Sequence, residues 1–478
     1  MRKKKGEKVK ESNFQITTDE ILKTIIDYEN KENLFSRKIR GVYFYKLIRV
    51  GLYNKILNII LGTKNAQDSM KNQTVVFNFL KTYISNLFNK DKKTFNILLF
   101  DTGRVFYNEG QKSSIYMFDI IKNLKNKNES FRIIYPWIAP NENRIFEAPP
   151  ALKYFLQYIF LTLKFKLNQK LNFQKFDTAE NKLIENCNKE LCNLLEINPN
   201  LPLFDKTEIM REIEKFKIQY NYYYSYFKKK NIKEIYIICA YGKEGVVAAA
   251  KDLNIKAIEI QHGTITKYHL AYHYPTNQKI PYFPKYFYSF GKYWEEIVTF
   301  PKGTKLRVYG FPYLQNQLIK YKDVPEEKDQ ILFISQGHVG EKLLYKAIGF
   351  AQKNKNKKIV YRLHPGELRY SIRNYINILE KYTLNNFILE DCKEDLYKLI
   401  KESEYIFAVS STAIYEALAL GKDVGIINLP SYEEVIDLIR QSYVDFYEEK
   451  DINEIYISHF KNTDYNKFFN MEMEEGLC

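Results

Sequence analysis

Residues 234–261, EIYIICAYGKEGVVAAAKDLNIKAIEIQ, decide the fold. Glu234–Ala240 is a β-branched, apolar run, Gly245–Leu253 is a stretch of small residues with helical character, and Ala257–Gln261 is apolar again. Two short apolar runs around one helix make a βαβ unit, with parallel strands and a right-handed crossover. After residue 325 the same alternation returns. Strands are expected at Ile331–Ser335, Lys358–Leu363, Asn386–Glu390, Tyr405–Val409 and Val424–Leu429. Helices Glu341–Lys353, Tyr370–Glu380, Glu394–Glu402, Thr412–Leu420 and Tyr432–Arg440 alternate with them. Toward the N-terminus, strands Asn96–Phe100 and Phe131–Tyr135 flank a helix at Tyr116–Leu124. The expected fold class is α/β: two Rossmann-like doubly wound domains facing a cleft, with a helical N-terminal extension and a helical insertion. The expected boundaries are 1–90 for the extension, 91–318 for an N-terminal domain with its insertion at about 150–230, 319–450 for a C-terminal domain, and 451–478 for a closing segment.

Composition bounds the rest. The 478 residues are 45% hydrophobic and 27% charged, as in a globular chain. No apolar run approaches the ~20 residues of a spanning helix. The opening MRKKKGEKVK leads into polar ESNFQITTDE, so no secretory signal is expected, and five unpatterned cysteines indicate neither a disulfide framework nor a zinc site. The expected location is cytoplasmic, with the inner face of the membrane as a peripheral site. A net charge of +16 invites a nucleic-acid reading, but no recognition-module signature accompanies it, and nucleic acid is not an expected partner. MRKKKGEKVK and the lysine-rich 151–175 stretch are instead candidate contacts with an anionic membrane; packing on the domain core is the favoured reading of ALKYFLQYIFLTLKFKLNQK itself.

The histidines concentrate the chemistry. Of six, five (His262, His269, His273, His338 and His364) lie within about a hundred residues of each other. His262 and His364 each follow a strand directly, where the carboxyl ends of a sheet meet a ligand. Glu244, in the loop after the preceding strand, can share a cleft with His262, and either can act as general base. Glu244 can equally serve the helix that begins beside it. In YIFAVSSTAIYEALAL (405–420), Ser410, Ser411 and Thr412 form a turn into a helix whose free N–H groups suit an anion; an N-cap is the alternative duty. YRLHPGE (361–367) brings Arg362, His364 and Pro365 near the same edge, and Gln336 and Glu416 are further candidate nucleotide contacts.

Absent motifs narrow the reaction. There is no phosphate loop, no dinucleotide fingerprint after a strand, no nucleophile elbow, and no D-x-D pair after a strand, so neither a metal nor another cofactor is expected. QHG (261–263), RLHPGE (362–367) and SSTAIYEAL (410–418) on two such lobes resemble the GT-B glycosyltransferases of bacterial surface-polysaccharide synthesis. More narrowly, His-Pro followed by a Ser/Thr pair is similar to bacterial sialyltransferases and polysialyltransferases, which use CMP-activated nonulosonic acids.

That resemblance implies a GT-B fold, donor contacts at His364, Ser410 and Ser411, and a base at Glu244, although Lys243 stands where the family has its first acidic residue. It further implies a metal-independent inverting transferase that uses a cytidine-activated donor and a glycan or lipid-linked glycan acceptor in capsule or lipooligosaccharide synthesis. CDP-glycerol glycerophosphotransferases look similar as well, and there His262 would be the base. A non-catalytic assembly protein on a degenerate GT-B fold is the alternative from outside enzymology. The resemblance covers about residues 230–440.

Overall fold

The computed structural model describes residues 16–61, 94–102, 104–108, 111–134, 157, 159–163, 176–276, 278–337, 339–369, 371–448, 452, 454–455 and 462–470. His338, MRKKKGEKVK and most of the 151–175 stretch lie outside them; residues 157 and 159–163 are helical, with Leu161 buried and Phe160 and Leu163 exposed.

The first lobe runs through β1 (Ile97–Phe100), β2 (Val105–Asn108), β3 (Gln111–Ser114), β4 (Phe131–Ile134), β5 (Glu234–Ile238), β6 (Lys256–Ile260), β7 (Tyr286–Ser289) and β8 (Lys305–Val308). β2 and β3 form a separate antiparallel hairpin; the other six make a parallel sheet in the order β4-β1-β5-β6-β7-β8. The second lobe has β9 (Glu327–Ile334), β10 (Lys358–Arg362), β11 (Phe387–Glu390), β12 (Ser403–Ala408), β13 (Val424–Ile427) and β14 (Asp445–Tyr447), parallel and ordered β11-β10-β9-β12-β13-β14. Each sheet reverses its winding once, between β1 and β5 in the first and between β9 and β12 in the second. Ligands of doubly wound sheets bind outside such switch points. Two sheets of this kind with flanking helices constitute the GT-B architecture.

The strands form where apolar runs are buried on both faces: Ile235–Ile238 and Ile331–Ile334 are buried throughout. Helices start just beyond the carboxyl edges, as Glu244–Asp252 does after β5 and Thr412–Ala419 after β12. The expected helix over Tyr432–Arg440 divides into a 3-10 turn at Tyr432–Val435 and a short helix at Ile436–Arg440, preceded by Ser431 with φ at 80°.

Helices Thr18–Lys31 and Phe44–Leu61 of the extension share one apolar core with Thr178–Leu194 and Lys206–Lys230 of the insertion, through Ile25, Ile48, Leu191 and Ile213. Capping boxes at Thr17 and Asp177 fix two of their starts. Within this core Arg49 pairs with Glu29 at 2.6 Å and donates to the His273 carbonyl at 2.9 Å, tying the extension to the loop after β6. A buried pair held by extra hydrogen bonds fixes geometry more than it adds stability.

Residues 465–470 return to the first lobe. Phe468 and Phe469 are fully buried, the Trp294 indole donates to the Phe468 carbonyl at 2.6 Å, and the backbone N–H of Asn470 donates to Phe290 at 2.8 Å. Tyr415 and Tyr443 of the second lobe pack on the same Phe468 ring, so this segment joins the two sheets.

Candidate active site

At the first switch point, β1 runs into Asp101, Thr102 and Arg104, while β5 runs into Tyr241, Lys243 and Glu244. At the second, β9 ends beside Gln336 and β12 beside Ser410, Ser411 and Thr412. The lobes touch here: Thr412 Oγ1 accepts the Thr264 backbone N–H at 3.1 Å and lies 2.9 Å from the Thr264 hydroxyl.

His262 follows β6, and its Nε2 and Nδ1 lie 3.5 Å from the hydroxyls of Tyr241 and Tyr272. The Tyr272 hydroxyl donates to Glu259 Oε1 at 2.7 Å, an oxygen that also accepts the Ala240 N–H at 2.8 Å. With its own proton committed to Glu259, the Tyr272 oxygen faces His262 as an acceptor. This favours the Nδ1–H tautomer and turns the Nε2 lone pair toward the Tyr241 hydroxyl. Burial first, then the charges of His269, Arg104 and Lys243, pull the imidazole down to about 3. The ring is therefore neutral at pH 7. Burial likewise pushes the Glu259 carboxyl up to about 7.

Glu244 sits elsewhere. It is 8% exposed, accepts the Gly242 N–H at 3.1 Å, and is raised by burial against the opposing charge of Lys46. Gly245 beside it packs directly on the Lys206–Lys230 helix, with Gln219 accepting its N–H at 2.8 Å. The carboxylate thus serves its own loop and helix start.

In the second lobe, Glu367 shapes the His364–Gly366 turn. Its carboxylate is 2% exposed and accepts the His364 N–H at 2.7 Å, the Ser335 hydroxyl at 3.0 Å and the Tyr375 hydroxyl at 2.7 Å. His364 Nδ1 accepts the Gly366 N–H at 3.1 Å, so Nε2 carries the hydrogen and is an outward donor. Partial enclosure of the ring at the turn lowers its pKa below the ordinary value. Pro365 is exposed at the tip of the turn.

Ser410 is 1% exposed and donates to Gln336 Oε1 at 2.7 Å. Ser411 caps the Thr412–Ala419 helix, accepting the Ala413 N–H at 3.2 Å. Glu416 lies inside that helix, its carboxyl raised by burial to about 7. Arg362 was expected at this edge; its guanidinium is instead ion-paired with Glu390 and donates to the Glu394 carbonyl at 2.8 Å. The register explains this, since Arg362 and Glu390 are direct partners on β10 and β11.

Sequence reasoning missed Arg104. Its Nη1 donates to the Tyr116 hydroxyl at 3.1 Å, and its charge acts on His262 in one lobe and on His364 and Glu416 in the other. No motif marks it, because only the turn after β1 brings it into the cleft. The structure thus brings together Arg104, His262, His364, Gln336, Ser410, Thr412 and Glu416, and leaves Arg362 and Glu244 engaged elsewhere. Among the described residues no group of three or more His, Cys, Asp or Glu is arranged to hold a metal, and no helix is long and apolar enough to cross a membrane.

No protein-family model and no curated protein matches the chain. Solved structures do. UDP-GlcNAc 2-epimerase from Neisseria meningitidis bound to UDP-GlcNAc aligns with TM-score 0.41 and 15% identity, over 74% of this chain and 88% of that one. Acinetobacter baumannii MurG aligns with TM-score 0.38 and 12% identity, over 75% and 87%. The spinosyn rhamnosyltransferase SpnG aligns with TM-score 0.39 and 9% identity, over 78% and 89%.

Proposed function

We propose that the chain is a nucleotide-sugar-dependent glycosyltransferase whose donor phosphate lies between Arg104, the Nε2–H of His364 and the N-terminus of the Thr412–Ala419 helix. One observation carries this: the Thr264 and Thr412 hydroxyls meet at 2.9 Å across the lobes, beside Arg104, which donates to Tyr116 at 3.1 Å where that ring stands edge-on to His262. A cation, a neutral donor and a helix N-terminus stabilise a leaving phosphate in the way oxyanion sites do. The acceptor hydroxyl gives its proton to His262 Nε2 as its oxygen bonds the anomeric carbon. The bond from that carbon to the donor phosphate oxygen breaks, and the electron pair leaves with the nucleotide. An anionic donor entering beside His262 makes the imidazole a stronger base than it is in the empty cleft. Pro365 holds the turn, and Gln336, Ser410, Ser411 and Glu416 form the nucleotide side.

The donor in this reading is cytidine-linked, a CMP-activated nonulosonic acid, on the strength of the RLHPGE and SSTAIYEAL motifs. The acceptor is a glycan of surface-polysaccharide type, with an anionic membrane as a peripheral partner, and no metal or other cofactor takes part. A second reading, transfer of polyol phosphate from a CDP-linked donor, draws its support from the enclosure of Glu244, which leaves His262 as the base. In it the acceptor oxygen attacks phosphorus and CMP leaves.

Calorimetry with CMP, CDP, UDP and GDP, followed by parallel incubation with CMP-sialic acid and CDP-glycerol, separates the readings. CMP binding that Arg104→Gln weakens about tenfold, the worth of one charge-assisted hydrogen bond, is expected. CMP affinity untouched by that variant would overturn the donor site. Cytidine-nucleotide binding without turnover of either donor would favour a non-catalytic assembly protein.

A further inference from the structure

Glu259 is the one carboxyl on β6, and its chain neighbours Ile258 and Ile260 are fully buried. Its register partners Ile237 on β5 and Phe287 on β7 are fully buried too. An apolar residue fits such a place without penalty, whereas a buried carboxyl has to be held by hydrogen bonds. The bonds that hold this one lead to the site. Oε1 accepts the Ala240 N–H at 2.8 Å and the Tyr272 hydroxyl at 2.7 Å. The same Tyr272 hydroxyl lies 3.5 Å from His262 Nδ1, and His262 Nε2 lies 3.5 Å from the Tyr241 hydroxyl. Hydrogen bonds of this length are common at catalytic groups without substrate and tighten in the working complex.

The row of bonds has a direction. Tyr272 gives its hydrogen to Glu259, so Nδ1 gives its hydrogen to Tyr272, and Nε2 is left as an acceptor. A proton that reaches Nε2 has reason to move on. Enclosure of the ring and the charges of His269, Arg104 and Lys243 all oppose an imidazolium there. Glu259 stands in the opposite field, since the charges that act on it, Lys46 of the extension and Lys243 of the turn after β5, are both positive. Its other titratable neighbours, Cys239, Tyr241 and Tyr272, are held neutral at pH 7 by burial.

We infer that Tyr272 and Glu259 are positioning residues of the proposed base: Tyr272 fixes His262 as the Nδ1–H tautomer, and Glu259 takes up the proton that leaves the acceptor. The step balances atom by atom. The acceptor O–H bond breaks as Nε2–H forms, Nδ1–H breaks as its hydrogen passes to the Tyr272 oxygen, and the hydrogen that Tyr272 held passes to Glu259 Oε1. Imidazole and phenol both end neutral, the ring as its Nε2–H tautomer, and the carboxylate becomes a carboxylic acid. Reversal along the same bonds after product release returns the proton to the cleft. The inference rests on the transferase reading for the reaction served, but not for the tautomer.

The test uses the full chain labelled with 15N-histidine, the variants Glu259→Gln and Tyr272→Phe, and incubation with CMP-sialic acid and CDP-glycerol. In the parent, 15N NMR is expected to show His262 with its hydrogen on Nδ1 and a bare Nε2. Glu259→Gln keeps an acceptor for Tyr272, so the tautomer stays, but an amide takes up no proton. Turnover is therefore expected to fall about 10²-fold while nucleotide affinity stays within about twofold. Parent turnover is expected to rise with pH as Glu259 ionises, through about 7, and Glu259→Gln is expected to lack that rise. Tyr272→Phe removes the acceptor of Nδ1–H, so tautomer and turnover are both lost. A carboxyl that served only the fold would be replaced by its amide without loss. Parent turnover and pH profile in Glu259→Gln, an Nε2–H imidazole in the parent, or an unchanged tautomer in Tyr272→Phe would each overturn the proposal and leave the transferase reading standing. A tautomer that depends on Tyr272, with neither donor consumed, sinks the transferase reading and leaves the row of hydrogen bonds in place.

Discussion

The Tyr272 hydroxyl donates to Glu259 Oε1 at 2.7 Å and lies 3.5 Å from His262 Nδ1, and the carboxyl behind it is itself buried, at 1% exposure. Its folded pKa of about 7 stands above the ordinary 4.5. Between those values the folded state keeps a proton that the unfolded chain has released, so stability falls as pH rises through the window and levels above it. Each pKa unit is worth 1.36 kcal/mol, so Glu259 contributes a loss of roughly 3 kcal/mol. Gln at this position keeps an acceptor for Tyr272 and Ala240 and cannot ionise. Urea denaturation should therefore show Glu259→Gln gaining about 3 kcal/mol on the parent between pH 4.5 and 7.5. Parallel profiles would refute the raised pKa.

His262 and His364 differ in what their loss should do. His262→Gln removes the proton acceptor and is expected to lower turnover by about 10²–10⁴-fold while nucleotide affinity stays within about twofold. His364→Ala removes a phosphate donor, so affinity and turnover both fall, and the exposed side chain predicts an unchanged fold. Single-turnover rates and nucleotide calorimetry on both variants read the split. The reverse pattern would exchange the two roles.

The sheets were legible where apolar runs alternate with helices, from β9 to β13 and across β5 and β6. β7 was not, because YFYS lies in the aromatic-rich IPYFPKYFYSFGKYW, where no contrast of polarity marks a strand. β8 is the polar edge strand KLRV, three of whose four residues are exposed, and β14 is only three residues long. Of the candidate site, the strand-end residues were legible, since His262, His364 and Ser410 follow apolar runs directly. No motif marks Glu259, which is buried because a residue in a central parallel strand is covered on both faces. Glu367 and Arg104 become meaningful only once tertiary structure brings Tyr375, Ser335 and Tyr116 to them.

Glu367 positions the His364 turn without facing the cleft. Glu367→Gln replaces an oxygen that accepts a hydrogen bond with an NH₂ that cannot, and the loss of one buried acceptor should cost about 1–3 kcal/mol of stability. The turn carrying His364 loosens with it. Nucleotide affinity is therefore expected to fall in Glu367→Gln even though no atom of Glu367 contacts the ligand. Amide exchange at Gly366 supplies a readout that a purely global destabilisation would not move, since its N–H bonds to His364 Nδ1 only when the turn is formed. Protection at Gly366 equal to that of the parent would remove Glu367 from the site.

Gly245 and Gly349 make the same substitution act in opposite directions. A Cβ at Gly245 would lie 2.7 Å from the Phe216 carbonyl oxygen and 2.8 Å from the Tyr220 nitrogen. Both are backbone atoms of a packed helix, so neither can swing aside. The crossing of the Glu244–Asp252 and Lys206–Lys230 helices must widen, and with it the wall that encloses Glu244 and Lys46. Gly245→Ala is thus expected to destabilise by about 1–3 kcal/mol. Gly349, inside the Gly340–Lys353 helix, has nothing within 4 Å of its would-be Cβ. There alanine relieves the entropic cost of a helical glycine and should stabilise by up to about 1 kcal/mol. Chemical denaturation of the two variants beside the parent gives both signs at once. A Gly245→Ala protein as stable as the parent would mean that the two helices leave room for a Cβ there, and Glu244 would then be open to the cleft as a competing base.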